Sequence, residues 1–221
     1  MIPTLLWRCP LCAQNDSLKQ KSRLASPVQI QCLHCQTRWK VRRVIGDDYW
    51  LQVTQSTAFP EKVGIDHPLT HWYDRMKETI SLVPVSDPIA PLETGEKLYL
   101  ASRQVLFIVN PNDPLVHEDH AKDLKEIKWF STGVKLGTGR VFLTDRRVIW
   151  LLDKGKYYAF PLTKINSVYA AANQALVLLF EIRLLELRFL EESLLKWLTY
   201  FAFVAKKVKE TSNHLITTSH Y

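Results

Sequence analysis

Four cysteines carry the strongest chemical signal in this 221-residue chain. Cys9-Pro10-Leu11-Cys12 and Cys32-Leu33-His34-Cys35 are two identically spaced C-x2-C pairs with nineteen residues between them. Such spacing places two thiolates on one tight turn, and two turns present four sulfurs to one tetrahedral ion, zinc foremost, at Zn–S distances of about 2.3 Å. A pair of redox dithiols would want a βαβ context for at least one pair, and none is visible. Four sulfurs leave no open position for water or substrate, so a zinc ion here is expected to be structural rather than hydrolytic. His34 is read as an exposed tip residue of the second pair. Metal spacing with no further cysteine fits a reducing compartment, and the expected location is cytoplasmic.

The turns need strands to hold them. Residues 28–31 lead into the second pair, 38–41 lead out of it, and 49–53 supply a last strand. This arrangement resembles a zinc ribbon over residues 1–53. About fifty residues bury too little to hold a fold alone, so the metal is expected to contribute much of the folding free energy.

The same segment is basic, with eight Lys/Arg against three Asp/Glu in residues 1–50 of a chain whose net charge is +7. Arg38, Trp39, Lys40, Arg42 and Arg43 form a cationic run with an aromatic inside it. One interpretation is a nucleic-acid site, phosphates on the cations and a base stacked on Trp39. The other, which we favour, puts Trp7 and Trp39 in the ribbon's small core and leaves the charges on a solvated face.

Residues 54–90 are read as a linker. Within it Asp66-His67-Pro68 opens an amphipathic helix over 68–81, with Leu69, Trp72, Tyr73, Met76 and Ile80 on one face. Pro84, Pro88 and Pro91 then make a stiff connector.

From 91 to 210 the pattern is a second domain. Residues 139–162 read as three antiparallel strands joined by Asp145-Arg146 and Asp153-Lys154-Gly155 turns. Residues 97–109 form a strand or bent strand pair, 110–114 break it, and 115–128, with His117 and His120, read as an exposed helical insertion. Further strands are expected at 129–136, 165–170, 175–182 and 184–190. Residues 191–210 switch to helical period, with Leu194, Leu198, Phe201, Ala205 and Val208 on a face widened by Trp197, Tyr200 and Phe203. About seven antiparallel strands capped by one C-terminal helix is the expected fold, and residues 211–221 are read as a flexible tail. No apolar run is long enough to span a membrane as a helix, and the opening residues do not read as a secretory signal.

At residue level, Leu92-x2-Gly95-Glu96 and Gly139-Arg140-Val141-Phe142-Leu143-Thr144-Asp145-Arg146-Arg147-Val148-Ile149-Trp150 resemble the GRAM and bacterial PH-like branch of the pleckstrin-homology superfamily. The resemblance implies a PH-like barrel that docks on membrane lipid or on a protein partner and is not catalytic. Arg146, Arg147, Lys154 and Lys156, at the meander turns, are then the candidate contacts with lipid or partner. Zinc beside a PH-like domain is also similar to the GLUE-type domains of endosomal sorting proteins, some of which carry a finger that binds ubiquitin. Those fingers are shorter and lie within the domain.

Three functions follow as expectations. The first is a non-enzymatic adaptor, recruited to a protein partner or peripherally to an anionic membrane surface. The second is nucleic-acid binding by the ribbon, with the PH-like domain as a protein dock; the third is a ubiquitin-binding sorting adaptor. An enzyme is not expected. Gly137-Thr138-Gly139 is a lone G-x-G read as lying in a turn, with no helix after it to complete a phosphate loop.

Overall fold

Short strands, some alternating in burial as at residues 183–189 and some buried almost throughout as at 175–180, are the commonest regular structure among the described residues. A computed structural model describes residues 5–23, 26–43, 49–118, 133–171, 175–212 and 217–219. It divides into two compact units, Met1–Ser81 and Leu82–Tyr221.

The first unit is a five-stranded antiparallel sheet in sequential order: β1 (Leu18–Arg23), β2 (Ser26–Cys32), β3 (Arg38–Arg43), β4 (Tyr49–Gln55) and β5 (Asp66–Pro68). Ile30, Trp39, Leu51 and Val53 point to one side, none more than 2 % exposed. The helix α1 (Leu69–Glu78) supplies the cover. Its Trp72 and Met76 are buried, and the Trp72 indole donates to the Leu51 carbonyl at 3.0 Å. Residues expected to open this helix, Asp66 to Pro68, instead pair with Gln52, Leu51 and Trp50 as the edge strand β5. Pro68 lacks an N–H for a ladder and holds an extended ψ of 151°, which suits the last residue of an edge strand and delays the helix to Leu69. The stretch read as linker is thus, up to Ser81, part of the cysteine-bearing unit.

The second unit is built on a long strand, β8 (Val134–Thr144). On one edge it pairs with β7 (Val105–Val109) and, beyond a break, with β6 (Leu98–Ala101), so the expected bent pair is two strands on one neighbour. Its other edge takes β9 (Arg147–Leu152), followed by β10 (Tyr157–Pro161). β11 (Ile165–Ala171), β12 (Ala175–Phe180) and β13 (Arg183–Phe189) complete a curled antiparallel path β10-β9-β8-β7-β13-β12-β11. Gly137, Thr138 and Gly139 lie inside β8 rather than in a turn, which joins two segments expected to be separate strands. A Cβ on Gly139 would fall onto the Leu151 carbonyl oxygen, so glycine permits the close approach of β8 and β9.

Phe107, Trp150, Phe160 and Phe180 form a continuous aromatic core with centroid separations of 4.9, 4.8 and 5.2 Å. The helix α3 (Leu194–Ser212) contributes buried Trp197, Leu198, Phe201, Val204 and Ala205, with Trp197 stacked on Phe189 at 5.0 Å. Phe203, expected on that face, is 37 % exposed. Glu191 and Glu192 precede the helix instead of starting it. Glu192 is buried, accepting from the Arg103 N–H, the Trp197 indole at 3.1 Å and the Lys196 ammonium at 2.6 Å. A short helix, α2 (Pro114–Glu118), begins the expected insertion; residues 119–132, with His120, lie outside the described residues. Thr217–Ser219, in the stretch read as a flexible tail, forms β14, parallel to β11. Among the described residues no helix is long and apolar enough to cross a membrane.

Candidate metal centre and basic surfaces

Each cysteine pair sits where the backbone must reverse. Around the first, Arg8 bridges Asn15, the Cys9 N–H donates to Gln14, and Ala13 and Asp16 hold left-handed φ of 58° and 52°. The second closes β2 onto β3, with Gln36 at φ 59° and the Cys32 N–H donating to the Thr37 carbonyl at 2.9 Å. The two turns bring the four sulfurs within 4.8 Å of one another. Cys9 and Cys35 Sγ stand 3.8 Å apart, and Cys12 and Cys32 Sγ 3.7 Å apart.

Those separations discriminate between chemistries. A disulfide needs about 2.05 Å, and all four thiols are free. The edge of a tetrahedron with metal–sulfur bonds of about 2.3 Å is about 3.8 Å. The donor set therefore fits one tetrahedrally coordinated metal ion. Cys9, Cys32 and Cys35 are buried, and Cys12 is partly exposed. His34 is exposed at the turn and stands outside the group.

The surroundings bias the sulfurs unequally. Burial pushes the Cys9 thiol well up and, with smaller contributions from its neighbours, takes Cys12 to about 11. Burial also pushes Cys32 upward, but the Ser17 hydroxyl and the Cys35 and His34 N–H groups outweigh it, leaving Cys32 below the ordinary thiol value. Thr37 Oγ1 lies 3.2 Å from Cys35 Sγ and 2.7 Å from Ser56 Oγ, so a hydroxyl pair backs the second turn.

Sequence reasoning passed over Arg8, which ties the first turn to α1. Its guanidinium donates to Asn15 Oδ1 at 2.9 Å, Thr79 Oγ1 at 3.1 Å and the Thr79 carbonyl at 3.0 Å. Arg75 adds a bond from the helix to the Pro10 carbonyl at 3.3 Å. The only sequence signal was an arginine adjoining the first cysteine, which spacing rules do not score.

The cationic candidates separate by environment. Trp39 is 2 % exposed in the first unit's core, closed to an external base. Arg38 and Arg42 are exposed and Lys40 partly so, and Arg42 is ion-paired with Asp66. Arg43, also exposed, follows Arg42 and so has the opposite strand parity. In the second unit Arg147 is internal: it bonds Glu96 through Nε at 3.0 Å and Nη2 at 2.9 Å, Glu93 at 2.8 Å and the Pro91 carbonyl at 3.1 Å. Thr144 Oγ1 sits 2.7 Å from Glu96 and accepts the Arg147 N–H at 2.9 Å. Arg146 is half-exposed at 3.8 Å from Glu93, whereas Lys154 and Lys156 are exposed at the β9–β10 turn, Lys156 lying over the Tyr158 ring at 4.8 Å. No family model matches the chain, and no curated protein matches it.

Proposed function

We propose that this chain is a non-enzymatic adaptor in which a zinc ribbon is joined to a PH-like module of the GRAM type, recruited to an anionic membrane surface or a protein partner. The observation that carries the reading is a curled path of seven antiparallel strands, β10-β9-β8-β7-β13-β12-β11, followed by a C-terminal helix, the strand number and cover that the resemblance implies. Glu96, Thr144 and Arg147, which lie in the segments that carry the resemblance in sequence, meet in one hydrogen-bonded cluster. Arg147 serves that cluster; Arg146, Lys154 and Lys156, exposed at the meander turns, are the cations we assign to partner contact.

Zinc is the ion of choice for the four-sulfur centre, because a closed tetrahedral thiolate site suits a structural zinc or an iron. Elemental analysis of purified protein should find about one zinc per chain; iron in its place would replace the ribbon assignment. Co-sedimentation of the full chain with vesicles tests recruitment. Recovery should rise with anionic lipid and fall in Lys154→Gln/Lys156→Gln; equal recovery on neutral vesicles would remove the lipid partner and leave the protein one.

A further inference from the structure

The sheet of the first unit has a charge asymmetry that neither the metal centre nor the second unit accounts for. β1 and β3 carry Lys19, Lys21, Arg38, Lys40 and Arg42, while β1 to β4 contain no Asp or Glu at all. Register puts the five cations on one face. Lys19 pairs with Gln31 and Gln31 with Arg38; Lys21 pairs with Gln29 and Gln29 with Lys40; Arg42 lies two residues further along β3. The intervening residue Trp39 and its cross-strand neighbours Ile30 and Val53 are buried on the other side.

The result is two cationic rows. Successive charges along β3 stand about 6.7 Å apart, and the β1 row lies about 10 Å away across the glutamines of β2. Opposite charges on neighbouring strands would each have added stability, and like charges on one face detract from it. Five cations against one marginal acid are therefore a poor arrangement for a merely solvated surface. The sheet's one acid, Asp66 of β5, stands at the margin and pairs with Arg42, whose side chain remains 47 % exposed. On the same face Trp50 is the direct cross-strand partner of Arg42 and is only partly buried.

From this geometry we infer that the Lys19–Lys21–Arg38–Lys40–Arg42 face binds single-stranded nucleic acid, its phosphates on the two cationic rows and one unpaired base on Trp50. Evenly spaced cations match a phosphodiester chain, and polar glutamines rather than apolar side chains fill the space between the rows. A partly exposed tryptophan offers a stacking surface to an unpaired base, which a duplex cannot present.

Fluorescence anisotropy of the full, metal-loaded chain with a labelled oligonucleotide of about 20 nucleotides tests the inference. The expected log–log salt slope is about −3.5 for five contacted phosphates. Arg38→Gln/Lys40→Gln/Arg42→Gln should weaken binding at least about tenfold and flatten the slope by about 2. Trp50→Ala should weaken it about tenfold with the slope unchanged. Lys154→Gln/Lys156→Gln, in the other unit, should have no effect, which separates this inference from the membrane reading. Metal content and melting of each variant establish that it is folded; if the triple variant loses its metal, Lys19→Gln/Lys21→Gln on the edge strand decides the matter by the same slope. No binding at about 50 mM salt, equal or tighter binding of duplex, equal binding to anionic vesicles, or an unchanged slope in the charge variants would each overturn it.

Discussion

Single side chains in this protein divide between a cysteine cluster able to hold a metal ion and the frame around it, and the two leave different electrostatic marks. The cysteines are crowded and mostly buried, so Cys9 and Cys12 resist ionising without a cation, while Cys32 is favoured as the thiolate. In the second unit the Glu96 carboxylate, fully buried at the side chain, is pushed up by burial but pulled further down by Arg147, the Glu93 N–H and Thr144. Its folded value therefore lies below the ordinary 4.5. A depressed carboxylate stabilises the fold above its unfolded value, and that stabilisation is lost as pH falls through the lower folded value. Glu96→Gln should cost about 3 kcal/mol at neutral pH, because it leaves the Arg147 charge largely buried without its bidentate partner. Melting from pH 7 downward should show the wild-type advantage shrinking below pH 4.5, the ordinary value of this carboxylate; a variant equally stable at neutral pH would contradict the assignment.

At the scale of elements, the contacts that matter were made by pieces whose sequence signal was least specific. The helix α1 reads in isolation as an amphipathic stretch that could dock anywhere. In the fold it closes the five-stranded sheet with Trp72 and Met76 and grips the first cysteine turn through Arg8 and Arg75. Trp72→Ala is expected to cost about 3–5 kcal/mol and, because α1 holds the turn, to speed metal loss to a chelator. Chromophoric chelation kinetics would check this, and an unchanged rate would uncouple the helix from the centre. The β8–β9 pair depends in the same way on one residue. Gly139→Ala forces the Leu151 carbonyl away and should lower the stability of the second unit by about 1–3 kcal/mol without changing metal content, as denaturant unfolding with parallel metal analysis would show.

For the whole molecule, two compact units with separate cores imply two separable stabilities. The first has a four-cysteine centre that could hold one metal ion, whose apparent contribution in small four-ligand modules would be about 10–16 kcal/mol; the second rests on an aromatic core and a covering helix that involve none of those cysteines. Chelation should therefore abolish the cooperative melting of residues 1–81 and leave the transition of residues 82–221 in place. Calorimetry with and without chelator distinguishes this from a single metal-dependent transition, which would mean that the two units unfold together.

The sequence by itself determined the candidate metal-binding cysteines, because C-x2-C spacing is a local constraint on a turn and needs no knowledge of distant residues. It also determined the three-strand meander around Thr144 and the existence of a covering helix, since periods of two and 3.6 residues are local properties. Only the tertiary structure decided what lay across chain separations of tens of residues. Arg147 reads locally as an exposed turn cation, yet it is taken up by Glu96, fifty-one residues away. Trp39 can be read locally as a stacking platform or, as we favour, a core residue, and Ile30 and Val53 beside it place it in the core. The cationic face of β1 and β3 is likewise a product of strand register. Register depends on how strands pair, so Lys19 and Arg38, remote in the chain, become neighbours of the same glutamine only when the sheet forms.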